Sequence, residues 1–120
     1  MKIDSLSFKQ SNTQKGQESE SKACLFLESK GYEILARNYR FKRGEIDIIT
    51  QKDNMLVFVE VKSLKSNYFG FPEQSVTPQK ANLVKATAEA YIFDVDWKKN
   101  IRFDIIAISG LDFEHFEDAF

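Results

Sequence analysis

The chain is poor in the residues that many enzyme chemistries require. Cys24 is its only cysteine and His115 its only histidine. A single thiol permits no intramolecular disulfide, and Cys24 reads as a small core residue rather than a nucleophile. A lone histidine in an acidic stretch leaves Ser-His, Cys-His and zinc-type arrangements without their parts. The opening residues, MKIDSLSFKQSNTQ, contain no apolar run resembling a signal peptide or a membrane span. The expectation is a soluble cytoplasmic protein with no membrane partner. Excess charge of one sign is also missing, since 17 Lys and Arg oppose 18 Asp and Glu.

What is present is enough for one core. The chain has 120 residues, 42% of them hydrophobic, with 11 Phe, which fits one compact domain. Charge is unevenly placed. Lys30, Arg37, Arg40, Lys42 and Arg43 stand against Glu33 alone in residues 30–43, whereas residues 110–120 hold acids and no Lys or Arg. Such a distribution marks either a basic surface for a polyanion or an ordinary solvated face.

Residues 1–15 are polar and aperiodic, and are expected to form a loose arm ahead of a domain over 16–109, with 110–120 an acidic aromatic tail. From Gly16 a helix is predicted to about Lys30, stopped by Gly31. Strands are predicted in YEILARNYR, EIDIIT, MLVFVEVK and IRFDIIAIS, with Thr77 capping a helix that starts at Pro78 and reaches about Phe93. The stretch SLKSNYFGFPEQSV reads as a long loop. The order α-β-β-β-α-β implies an α/β fold, a mixed β-sheet flanked by helices.

Charges interrupt the apolar hairpin RGEIDIITQKDNMLVFVEVK. If Asp53 and Asn54 form its turn, Asp47 lies opposite Glu60 and Glu45 opposite Lys62, and alternation puts all four on one face. Two facing carboxylates repel unless a cation sits between them, and either a divalent metal or Lys62 would relieve them. Mg2+ prefers hard carboxylate oxygens and keeps waters that a phosphate can displace. Glu20 falls on the apolar stripe of the first helix with Ala23, Cys24, Phe26 and Leu27. It is either a buried acid in need of a partner or a solvated residue at a frayed helix start. Glu20, Asp47, Glu60 and Lys62 together form the set that phosphodiester hydrolysis uses, carboxylates for Mg2+ and a lysine for the water or the developing charge.

The spacing of GEID and VEVK resembles the PD-(D/E)XK nuclease superfamily. More closely, GQESESKACLFLESKGYEILARNYRFKRGEIDII, VFVEVKSLKSNYFGFPEQSVTPQKANLVKATAEAYI and IRFD resemble the YraN family of uncharacterised bacterial proteins over residues 15–109. That resemblance implies a restriction-endonuclease-like fold similar to archaeal Holliday-junction resolvases. It also implies metal ligation by Asp47 and Glu60 with Mg2+ or Mn2+, Lys62 as the catalytic lysine, Glu20 as the helix acid, and Lys80 as a family lysine. The family's usual Gly is Ser19 here, its Arg is Leu64, and the superfamily's proline before the aspartate is Ile46. Lys65 is an imperfect substitute for the missing arginine, because a point charge lacks the guanidinium fork.

Arg102 and Asp104 match the family's RFD and read as a structural ion pair, and Glu45 as the cross-strand partner of Lys62. Tyr68, Phe69 and Phe71 could stack on unpaired bases or pack under their own loop. The favoured expectation is an endonuclease on structured or branched DNA, with Arg37, Arg40, Lys42, Arg43, Lys65 and Lys80 on the phosphate backbone. A homodimer would suit a two-stranded substrate. A nucleic-acid-binding module with weak or no catalysis is the alternative, and a scaffold that docks a partner through its acidic tail is a third.

Overall fold

In the computed structural model, which describes residues 11–64 and 76–120, β1 (Glu33–Phe41), β2 (Gly44–Lys52) and β3 (Met55–Ser63) form an antiparallel meander. Asp53 and Asn54 both take positive φ, 52° and 64°. A tight hairpin whose turn matches the strand twist needs this conformation, and Asp and Asn tolerate it. The turn sets the expected register, with Lys52 facing Met55 and Ile48 facing Val59. β4 (Asn100–Ser109) runs parallel to β3, and β5 (Asp112–Phe116) closes the sheet antiparallel to β4, giving the order β1-β2-β3-β4-β5.

One helix covers each face. α1 (Ser11–Ser29) starts before Gly16, so residues 11–15, expected as part of a loose arm, are helical. Their polar sequence carries no period to read, and the helix draws its stability from burial of Ala23, Cys24 and Leu27 further along. Gly31 ends it at φ 93°, and the N–H groups of Gly31 and Tyr32 bond to Glu28 O and Leu27 O, each at 3.0 Å. α2 (Pro78–Val95) opens as predicted: Thr77 Oγ1 accepts from the Lys80 N–H at 3.1 Å, and Pro78 needs no partner for a missing donor.

Ile48, Val57, Val59, Ile106 and Ile108 pack under α1, while Ile46, Ile49, Leu56 and Phe58 pack under α2. No described helix is long and apolar enough to cross a membrane. Lys65, Tyr68, Phe69 and Phe71 lie outside the described residues.

Gly44 sets how closely α2 approaches β2. A Cβ there would collide with Thr87 Oγ1 and come within 2.9 Å of the Leu83 carbonyl oxygen, and the latter cannot swing aside. Gly44→Ala is therefore expected to destabilise the chain by roughly 1–3 kcal/mol through overpacking, read as a lower urea midpoint. An unchanged midpoint would mean that α2 shifts freely.

The acidic tail belongs to the sheet. Phe113 stacks on Phe26 of α1 with ring centroids 4.8 Å apart, and Phe120 lies 5.4 Å from Phe103. In DFEHF, Phe113 and His115 alternate with Asp112 and Glu114, which gives β5 one face to pack against Phe26 and Tyr32.

Arg102 and Asp104 form the expected ion pair within a larger network. Arg102 Nε and Nη2 each donate to Asp104 at 2.8 Å, with Arg102 Nη2 also 2.8 Å from Tyr32 Oη. His115 Nε2 and the Asp118 N–H complete the carboxylate's shell at 2.7 and 3.0 Å.

Candidate functional site

The site begins where strict alternation fails. In β1, Arg37 and Asn38 are consecutive, yet both reach α1. Arg37 Nη2 lies 3.2 Å from Gln17 O, and Asn38 Nδ2 donates to Glu20 Oε1 at 2.9 Å. Tyr39 then turns to α2 and meets Tyr91 edge-on at 5.2 Å. Asn38 makes this reset by adopting φ 51°, in the left-handed region that asparagine tolerates. β2 mirrors it, since Ile46 and Ile49 pack under α2 with Ile48 under α1. Asp47 sits at the break in the pattern. Its Oδ2 accepts the Val61 N–H at 2.8 Å, so a side chain takes up a donor of β3 beyond Ile48 and Val59, where the β2–β3 pairing has ended.

This corrects the expectation of one shared face. Glu60 follows the alternation of β3 onto the α2 side with Phe58, where the Lys80 ammonium pairs with it. Glu45 falls on the α1 side, 3.2 Å from Asn38 Nδ2 and 3.5 Å from Arg40 Nε. It is therefore not the partner of Lys62, because the pleat that would have aligned them is broken at Asp47. Asp47 joins the two sides.

Glu20 is no frayed helix residue. Its side chain is 12% exposed, accepts from Asn38 and lies 3.7 Å from Arg37 Nη2. Burial still raises its proton affinity above the ordinary carboxylate range, against the pull of Asn38 and Arg37. Asn38 was missed in the sequence. The signal was there, since asparagine is disfavoured inside a strand and has to be explained by a turn, a bulge or a polar task.

Asp47, Glu60 and Lys80 line both lobes of a trough, of about 490 and about 440 Å³. Glu20, Lys62 and Leu64 border the first lobe, and Arg43 and Thr77 the second. Of the residues expected on a phosphate backbone, Arg43 borders the trough, and Arg40, 75% exposed, lies 3.5 Å from Glu45, which also borders it. Lys42 sits at the hairpin tip, its Nζ 5.3 Å from the Phe41 ring centroid. Arg37 is engaged in holding Glu20, and Lys80 is drawn into the acid cluster.

Burial, then the charge of Glu60, push the Asp47 carboxyl up to about 7, with only the Val61 N–H opposing among its larger influences. A group whose folded-state proton affinity is raised costs stability as it ionises. That cost is absent below the unfolded value near pH 4, grows towards about pH 7, and is constant above. Asp47→Asn is thus expected to raise the stability of the metal-free chain at pH 8 by roughly 1–3 kcal/mol, with solvent in the trough screening the rest. The gain should vanish near pH 4 in paired urea melts. A gain independent of pH would show that charge is not its source.

The same electrostatics are the test of fit for a divalent cation. Two largely buried carboxylates, one of them retaining a proton near neutrality, are relieved by a hard cation that takes oxygen ligands, and Mg2+ commonly uses one or two carboxylates and fills its shell with water. Among the described residues no three His, Cys, Asp or Glu side chains converge to hold a metal alone. The groups fit an ion held by Asp47 and Glu60 and completed by water.

Comparisons with known proteins agree on one relationship. A family model described as "Uncharacterised protein family UPF0102" matches residues 19–108. A UPF0102 protein of Cytophaga hutchinsonii is 50% identical over 97 residues, covering 81% of this chain and 86% of that protein. One of Sulfurihydrogenibium sp. is 46% identical over 109 residues, covering 90% and 95% respectively. A third, from Flavobacterium psychrophilum, is 45% identical over 109 residues, with 88% and 92% covered.

Proposed function

Because the chain belongs to the UPF0102 family, whose description carries no activity, its chemistry has to be read from its own side chains, and we propose that it is a Mg2+-dependent endonuclease of the PD-(D/E)XK type acting on structured or branched DNA. The observation that carries this is the carboxylate pair Asp47 and Glu60 in a trough that Lys62 also lines, with Arg43 at its rim. A bound Mg2+ would supply phosphoryl polarisation and an activated water. Asp47 and Glu60 would hold it, with Asp47 fixed in place by the Val61 N–H. Glu20, steadied by Asn38 and Arg37, adds negative charge on the α1 side. Lys62, which makes no ion pair among the described residues, is free to orient water or to neutralise charge developing on the phosphate. Arg40, Lys42 and Arg43 at and beside the hairpin tip meet the phosphodiester backbone, where contacts fix position rather than read sequence.

The test is cleavage of end-labelled four-way junctions, flaps and splayed arms with and without Mg2+ or Mn2+. Cutting by the wild type only with the metal, abolished in Asp47→Asn, is the expected result. A second reading, a DNA-binding module without catalysis, is favoured by one observation: the Lys80 ammonium already pairs with Glu60. Tight binding of the junctions by both proteins, with no metal-dependent cutting by either, would establish it.

A further inference from the structure

Lys80 stands apart from the other cations around the trough. Its backbone N–H is fixed by the Thr77 cap, and its side chain crosses to Glu60. The pair is lopsided: the Glu60 side chain is 7% exposed and that of Lys80 is 41% exposed. A buried carboxylate without a partner is costly, whereas a lysine at the mouth of a trough can leave into water on its flexible stem. Glu60 is also one of the two groups that fit a divalent cation, so ammonium and metal compete for the same carboxylate.

We propose that Lys80 is an exchangeable stand-in for the metal, released from Glu60 when a substrate phosphate enters the trough, so that nucleic acid and divalent cation bind cooperatively. This rests on the metal-site reading above and adds its regulation. The chain alone holds Mg2+ weakly, because Mg2+ must compete with an ammonium already paired with Glu60. A phosphate in the trough gives that ammonium an anion, Glu60 is freed, and Mg2+ binds more tightly. Linkage makes the effect reciprocal: Mg2+ raises the affinity for nucleic acid by the same factor. Cleavage chemistry is thereby confined to the loaded complex.

The experiment measures Mg2+ affinity by thermal-melt titration, with and without a four-way DNA junction, in a Lys62→Ala background that keeps the DNA intact. The variants are Lys80→Gln, Lys80→Arg and Asp47→Asn. With Lys80 present, the junction is expected to tighten Mg2+ binding by about 5–150-fold. Lys80→Gln should show comparable tightening without DNA and little further gain with it, whereas Lys80→Arg should remain weak until DNA is added. If Lys80→Gln is too unstable to titrate, the DNA-dependent gain with Lys80 present and its retention in Lys80→Arg carry the test. Equal Mg2+ affinities with Lys80 in place and in Lys80→Gln, with binding still lost in Asp47→Asn, would overturn the exchange and leave the metal site standing. No Mg2+ binding by any of them, with or without DNA, would remove both.

Discussion

Lys62→Ala is expected to slow Mg2+-dependent cleavage by about 10²–10⁴-fold, the range for a positioned proton-transfer group, while junction affinity stays within a few-fold of wild type. The two lysines near the acid pair differ in their surroundings. Lys80 is paired with Glu60, whereas Lys62 lies two residues further along the same strand, lines the trough and makes no ion pair among the described residues. A side chain two positions from Glu60 emerges on the same side of a regular strand, and Lys62 lines the same lobe of the trough as Asp47 and Glu60. Charge reversal of Arg40 and Arg43 should do the opposite, weakening binding and flattening its dependence on salt, because fewer counterions are then released from DNA. Single-turnover cleavage alongside binding measured at several salt concentrations separates the two effects. Parallel losses of rate and affinity in Lys62→Ala would reduce that residue to one more phosphate contact.

Asp104→Asn should cost about 3–5 kcal/mol, the penalty for breaking a buried ion pair by removing one partner. Asp104 is fully buried and accepts from Arg102, His115 and the Asp118 N–H. Burial alone would push its carboxyl up, yet the bonds from His115, Arg102 and Asp118 together hold it below the ordinary carboxylate range. A depressed folded-state value contributes stability above the unfolded value near pH 4 and loses it as pH falls through the folded one. The gap between wild type and Asp104→Asn in urea melts should therefore be full at pH 7 and close at strongly acid pH. Since small domains are stable by only about 5–15 kcal/mol, the variant would sit close to unfolding. A loss under about 1 kcal/mol would be the size of an exposed pair and would overturn the reading of a buried network.

The hairpin register was legible because two residues suited to left-handed backbone, Asp53 and Asn54, sit between two apolar runs. α2 was legible because Thr77 and Pro78 announce it and nothing nearby competes. The acids themselves stood out as charges in strands otherwise rich in Ile, Val and Phe. The side on which each emerges could not be read, since alternation assumes an unbroken pleat and Asn38 breaks it with one dihedral angle. Glu45 was paired with Lys62 on that assumption and meets Asn38 and Arg40 instead. The start of α1 carried no period, and β5 was hidden by its acids although its alternation was present. Lys80 was visible as a cation, but which anion it meets depends on how closely α2 lies on Gly44, which is a matter of packing.

The bond from the Val61 N–H to Asp47 gives the site a resident spectroscopic reporter. In a strand interior an amide is held by another peptide carbonyl, and its nuclear resonance changes little with what happens at nearby side chains. The Val61 amide is held by a carboxylate oxygen instead, so its proton shift and its rate of exchange with deuterium follow the charge on that oxygen. Deprotonation, arrival of a cation and loss of the carboxylate would each leave a separate signature on one backbone resonance, observable in the free protein without substrate or turnover.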